Sequence, residues 1–333
     1  MSRIFVHGAG AVSPAGWGVP ALVGALKAAA PLPVQSLPRP GWEKPLPVRT
    51  VPPPPARPPF LAHPRLRRSG AMAHHTVASA LEALDGDAAR VQSGELRLGV
   101  IVCMMAGGVT YSRRFYEEVL REPGTASPLV FPETVFNAPA SHLSAYLNSP
   151  SVNYTLVGDS GTFLQGLALA ADWLRAGQVD ASLVTGAEET DWIVADAVRL
   201  FRRDIIYGGG AGTLYLKRDH GPVELSAITD SFSFTQNQKR GDAVRRMREQ
   251  LPDGAADDLI CDSGGEGDNL PGPRGAHRLM PEKVLGEAFV ASAAWQCVAV
   301  CDLLRQGEFA GANVGVVGAN QQAIGARFIG NNL

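Results

Sequence analysis

Between residues 152 and 189 the hydrophobic pattern changes period twice. A β-branched and aromatic run at 152–157 gives way to the tight turn Gly158-Asp159-Ser160-Gly161. From 162 to 176 the apolar residues Leu164, Leu167, Ala168 and Ala171 then recur at helical spacing, and Gly177 closes the segment. A second apolar run at 181–185 ends in Gly186-Ala187-Glu188-Glu189. The spacing predicts strand, turn, helix and strand, one unit of parallel α/β type. In such a unit the turn after the first strand faces the free N–H groups of the following helix, so reactive groups are displayed there.

The rest of the chain extends the pattern. A strand at 3–7 leads through the loop from Gly8 to Gly16 into a helix around 19–29. Helical spacing resumes at Arg65 through Leu84, an apolar strand follows at 98–104, a charged helix or lid at 111–122, and a helix at 138–147. Glycines 208–210 and 212 break the chain before a strand at 213–217. The series then begins again with a strand at 223–230, a helix at 242–249, a strand at 258–262, a helix at 282–304 and a strand at 314–317. This predicts an α/β protein of two similar halves, residues 1–217 and 218–333. More than half of the 25 prolines fall within residues 31–64, which predicts an extended, polyproline-like segment lying over the surface of its own domain.

Composition narrows the classes. In 333 residues, 45% are hydrophobic and 19% charged, as in a soluble globular protein with a sizeable core. Thirty basic against 32 acidic residues leave a net charge of −2, which points to neither nucleic acid nor an anionic membrane surface. No apolar run is long enough to span a membrane and no export signal opens the chain, so the expected location is cytoplasmic. The four cysteines lie in apolar surroundings without C-x-x-C spacing, and burial is their expected role; no metal and no cofactor is expected. Gly8 and Gly10 open like a dinucleotide loop, but Ser13 replaces the third glycine and no acidic residue follows about twenty positions on.

Over nearly its whole length the sequence resembles the β-ketoacyl synthases of the thiolase fold. The resemblance is carried by the opening strand and glycine loop, by Gly99-Val100-Ile101-Val102 with Gly107-Gly108, by the segment from Phe131 to Leu143, and most closely by the run from Asp172 to Glu189. It implies two pseudo-duplicated halves in a layered αβαβα arrangement. The family's chemistry needs a cysteine at the strand–helix turn and two polar activators, usually histidines, from the second half. Carried over by position, the cysteine falls on Gly158, the first histidine on Ser263 and the second on Glu287. All three groups are replaced, which implies a subunit that keeps the shape and not the reaction, like the chain-length factors that pair with an active synthase.

The resemblance further implies heterodimer pairing through Val152, Asn153, Tyr154 and Thr155, with Phe136 and Asn137 reaching towards the partner's tunnel. It also implies work with an acyl carrier protein, for which the basic group Lys239, Arg240, Arg245, Arg246 and Arg248 is the candidate docking face; an ordinary solvated helix face is the alternative. A rival reading makes Ser160 the nucleophile of an acyltransferase or hydrolase, with a histidine such as His142 as base. Against it, Thr162 replaces the second glycine of a Gly-x-Ser-x-Gly elbow, and helix capping is the plainer role for Ser160. Glu188 and Glu189, adjacent in sequence, are expected to diverge; His74-His75 reads as packing, and the Gly264–Asp268 stretch resembles a calcium repeat only loosely.

Overall fold

The computed structural model describes residues 3–150, 152–234, 239–263, 270 and 276–331. The first half lays down strands β1 (Phe5–Ser13), β2 (Leu98–Met104), β3 (Asn153–Val157), β4 (Ala181–Glu188) and β5 (Gly210–Lys217). The second lays down β6 (Val223–Ile228), β7 (Leu259–Asp262), β8 (Arg278–Leu279), β9 (Gly311–Val317) and β10 (Gln322–Gly330). Their spatial orders are β1-β5-β4-β2-β3 and β6-β10-β9-β7-β8. In each set the first two junctions are antiparallel and the last two parallel, so one topology is written twice. A short antiparallel contact, Phe5 with Glu224 and Val6 with Val223, joins the two sets.

The principal helices are α1 (Val19–Ala28), α2 (Ala71–Leu84), α3 (Val109–Arg121), α4 (Ala138–Tyr146), α5 (Thr162–Arg175), α6 (Trp192–Phe201), α7 (Arg240–Gln250), α8 (Pro281–Leu285) and α9 (Phe289–Arg305). Both α5 and α9 touch strands of both halves, while α2 covers the first set and α7 lies on β10. The layering is therefore helix, sheet, helix, sheet, helix, the arrangement expected from the sequence. A helix in the middle layer has no solvent face, and α9 is buried at every position from Phe289 to Leu304. Strand β2, buried at every residue, is the continuous apolar run required of a parallel strand covered on both sides.

Three local expectations need correction. The predicted helix at 282–304 is two helices, because Gly286 takes φ +89° and Glu287 runs extended, its N–H donating to Ile206 O (2.9 Å) and its carbonyl accepting from Gly208 N (2.7 Å). Backbone pairing with Ile206 and the strand Tyr207–Gly208 outweighs helical periodicity there. Glycines 210 and 212 do not break the chain but lie inside β5, where a Cβ on Gly212 would sit 2.8 Å from Ala294 Cβ of α9. The proline-rich segment packs on its own domain as expected, but not as bare polyproline helix. Gln35–Leu37 and Leu46–Arg49 form a hairpin that pairs with Tyr207–Gly208; its Leu46 and Val48 are buried, as is Phe60 further along the segment.

Candidate functional site

Strand β3 is a short β-branched and aromatic stretch that ends at Val157, and Gly158 then donates its N–H to Met104 O (3.0 Å) at the end of neighbouring β2. This places Gly158 at the carboxyl end of a parallel pair, in the turn before α5. The turn is not open. A Cβ at Gly158 would lie 2.4 Å from Thr162 Oγ1 and 3.1 Å from Gln321 Oε1, so the space a cysteine side chain needs is already occupied.

What occupies it is a polar clamp between the turn and the loop joining β9 to β10. Asp159 is fully buried. Its N–H donates to Gln321 Oε1 (3.1 Å) and its Oδ2 accepts from Gln321 N (3.0 Å), a reciprocal pair across 162 residues of sequence. Asp159 Oδ1 accepts from Gly161 N (3.3 Å) and from Gln322 Nε2 (3.3 Å), and Gln322 also bonds Gln165 Oε1 (3.2 Å) and Ser231. Only glycine fits at position 318, where a Cβ would fall 1.7 Å from Asp159 Oδ2. Each such bond contributes about 1 kcal/mol when made and costs more when one buried partner is lost. Asp159, not Ser160, serves the N-terminus of α5: the helix is capped at Gly161, and Ser160 makes no side-chain capping bond, a correction to the expected role.

The surroundings are acidic. Glu188, at the end of β4, is fully buried, and its carboxylate accepts from Met105 N and Ala106 N. Glu189 turns the other way, as expected, to accept from Thr110 N. Burial pushes Glu188 up to about 8 despite those two donors, with Glu189 and Glu287 nearby reinforcing the shift. Burial likewise raises Glu189 and Glu287, and Glu287 Oε1 accepts from Phe289 N (2.6 Å). The structure thus connects Gly158, through Met104 and Met105, with Glu188 and the field of Glu287. Ser263, just past β7, is buried with a hydroxyl that finds no partner among the described residues, and the Gly264–Asp268 stretch after it lies outside them.

The remaining predicted residues separate into two groups. Strand β3 is the last strand of its set, and Tyr154 and Val157 on it are 50% and 54% exposed. Val152 precedes β3 and is half-buried; Asn153 Nδ2 donates to Ala140 O (3.0 Å) and Ser144 Oγ (2.8 Å), and Thr155 Oγ1 is buried without a partner among the described residues. Phe136 and Asn137 stand at the start of α4, with exposed Phe131 and Val135 beside them. Exposed apolar side chains thus stand both on this last strand and just before α4. The basic group, by contrast, is drawn into local contacts. Arg240 donates to Gly318 O (2.6 Å), Arg245 pairs with Asp242 and Glu249, Arg246 stacks on Phe232, and Lys239 precedes α7. His142 Nε2 bonds Glu133 Oε1 (2.8 Å), and no imidazole hydrogen-bonds Ser160 among the described residues.

The four cysteines are buried and unpaired, none at the turn. No group of three or more His, Cys, Asp or Glu side chains among the described residues is placed to hold a metal ion. No described helix is long and apolar enough to cross a membrane.

No family model matches the sequence, and no curated protein matches it. Solved structures do match the fold. The ishigamide ketosynthase/chain length factor superposes with a TM-score of 0.81 at 18% identity, covering 99% of this chain and 100% of that one. A β-ketoacyl synthase from Burkholderia phymatum gives 0.79 at 16% identity, with 100% of both chains covered. The ketosynthase ApeO in complex with its chain length factor ApeC, from Xenorhabdus doucetiae, gives 0.78 at 14%, covering 99% and 98%. At these identities the likeness establishes the fold: this chain is built as the thiolase-type ketosynthases and chain length factors are built, end to end.

Proposed function

We propose that this chain is a non-catalytic, chain-length-factor-like subunit that pairs with an active β-ketoacyl synthase and shapes the pocket into which the acyl chain grows. The setting is type II polyketide, aryl-polyene or fatty-acid-like biosynthesis, with the acyl carrier protein engaging the pair. The observation that carries this reading is Gly158, which stands at the strand–helix turn where the thiol belongs, with its side-chain space taken by Thr162 and Gln321. Without a nucleophile there is no covalent capture. The exposed apolar edge of β3 supports pairing, since an uncovered hydrophobic strand edge invites a second chain. The solved complexes of this fold, in which a ketosynthase is joined to a chain length factor, support the same partner. In this reading the two halves meet between residues 217 and 218, which the end of β5 at Lys217 and the start of β6 at Val223 support.

Co-expression with synthases encoded beside it tests the proposal. The expected result is a one-to-one complex that condenses malonyl and acyl thioesters on the carrier protein, while this chain alone condenses nothing. Condensation by the isolated chain overturns it.

A further inference from the structure

Helix α6 carries two apolar stripes, and the fold covers one of them. Val194, Ala195 and Val198 are buried, and Asp191 caps the helix by accepting from Ile193 N (2.9 Å). The inner face is thus seated. The outer face repeats Ile193, Ala197, Leu200 and Phe201, the i, i+4, i+7, i+8 spacing that normally marks a buried side. All four are exposed, Leu200 to 77% and Phe201 to 88%. An apolar stripe left in this state marks a surface that something else covers.

A third large side chain joins the stripe from the proline-rich segment. Trp42, 64% exposed between the two strands of the 35–49 hairpin, lies under the Arg39 guanidinium, 3.9 Å from its ring centre. Arg39 in turn pairs with Asp196 of α6, one helical turn before Leu200. Charge then points to the covering material. The chain as a whole carries −2, yet residues 39–44 and 192–204 hold five basic side chains, Arg39, Lys44, Arg199, Arg202 and Arg203, against the acids Glu43, Asp196 and Asp204. Two of those acids are already paired, Asp196 with Arg39 and Asp204 with Arg202, while Lys44 and Arg203 pair with no acid among the described residues. Side chains that project this far need no shaped recess when they enter a lipid interface, and tryptophan, phenylalanine and leucine beside arginine are the residues such interfaces take.

We infer that the outer face of α6, with the tip of the hairpin, is a docking surface for an anionic bilayer. Ile193, Leu200, Phe201 and Trp42 enter the headgroup layer, and Lys44 and Arg203 meet lipid phosphates. The chain lies on the membrane surface and does not cross it. This surface is separate from the edge of β3 proposed for the synthase, so the inference does not depend on that pairing.

Co-sedimentation tests it, with the full chain alone and co-purified with its synthase, on vesicles of phosphatidylcholine containing about one-third phosphatidylglycerol and on vesicles of phosphatidylcholine alone. The expected result is binding to the anionic vesicles that weakens as salt is raised, with a blue shift of tryptophan emission that Trp42→Phe abolishes. Leu200→Ser with Phe201→Ser is expected to lower binding about tenfold or more, and Arg203→Glu about fivefold or more, without change in Tm because these side chains stand in solvent. Leu129→Ser, at a residue 71% exposed elsewhere on the surface, is expected to leave binding intact. Wild-type chain that stays in solution overturns the inference, as does an equal loss in Leu129→Ser, the mark of unspecific adsorption. Carrier-protein binding that the Leu200, Phe201 variant loses, without any vesicle binding, overturns it and assigns the face to a protein partner. Vesicle binding by the free chain but not by the complex overturns it too, since the synthase would then cover this face.

Discussion

A cysteine at Gly158 is expected not to fit, and the structure gives the size of the clash. In Gly158→Cys the new Cβ meets Thr162 Oγ1 at 2.4 Å, about 1 Å inside ordinary contact, with Gln321 Oε1 at 3.1 Å on the other side. Thr162 is buried in the first turn of α5, and Gln321 is committed to Asp159. Relief requires Thr162 to turn its hydroxyl into packed surroundings or Gln321 to release its bond. Overpacking of this kind costs about 1–3 kcal/mol, and a lost buried hydrogen bond adds about 1 kcal/mol. The sum, about 2–4 kcal/mol, corresponds to a fall in Tm of roughly 4–8 °C. Thermal unfolding followed by circular dichroism measures it. The double variant Gly158→Cys, Thr162→Ala should recover most of the loss, because it removes the closer contact. The introduced thiol, enclosed and without a cationic neighbour, is expected to resist iodoacetamide at pH 7 and to take no acyl group from carrier protein. A Gly158→Cys protein as stable as wild type that alkylates rapidly would refute the reasoning, since the turn would then be open.

Two further outcomes test other parts of the account. Glu188 has a folded-state pKa of about 8, above its value in the unfolded chain, so its stabilising contribution is fully present below about 4.5 and is lost as pH rises through 8; Glu189 and Glu287 shift in the same direction. Tm should therefore drop progressively between about pH 5 and 8 and level off above it, and Glu188→Gln should flatten that drop; an unchanged pH profile in the variant contradicts the assignment. Tyr154→Glu places a charge on the open edge of β3 and should weaken association with the synthase at least tenfold while leaving Tm within about 2 °C, as size-exclusion chromatography and scanning calorimetry will show.

Much of this fold is legible in the sequence because its strongest signals are local. The strand–turn–helix–strand unit from Asn153 to Glu188 declares itself by a change of hydrophobic period, and the return of strand and helix patterns after β5 announces the second half. The clamp is not legible, since Asp159 and Gln321 are 162 residues apart and nothing in either neighbourhood predicts their meeting. Gly318, where only a hydrogen fits beside Asp159 Oδ2, was the one available signal, and a single glycine in a glycine-rich chain says little. The break at Gly286 is hidden for a similar reason: residues 282–304 have helical spacing throughout, and the backbone bonds from Ile206 and Gly208 that interrupt it come from a distant strand. Nothing around Glu188 in the sequence announces its burial, because the two N–H groups that hold it come from the loop after β2.

The most direct measurement is the intact mass of each subunit after the reconstituted pair is incubated with acyl carrier protein. The account predicts one acyl adduct per pair, carried by the synthase, and an unmodified mass for this chain. An acyl adduct on this chain, whether on Ser160 or elsewhere, would contradict the claim that its own reaction turn is closed.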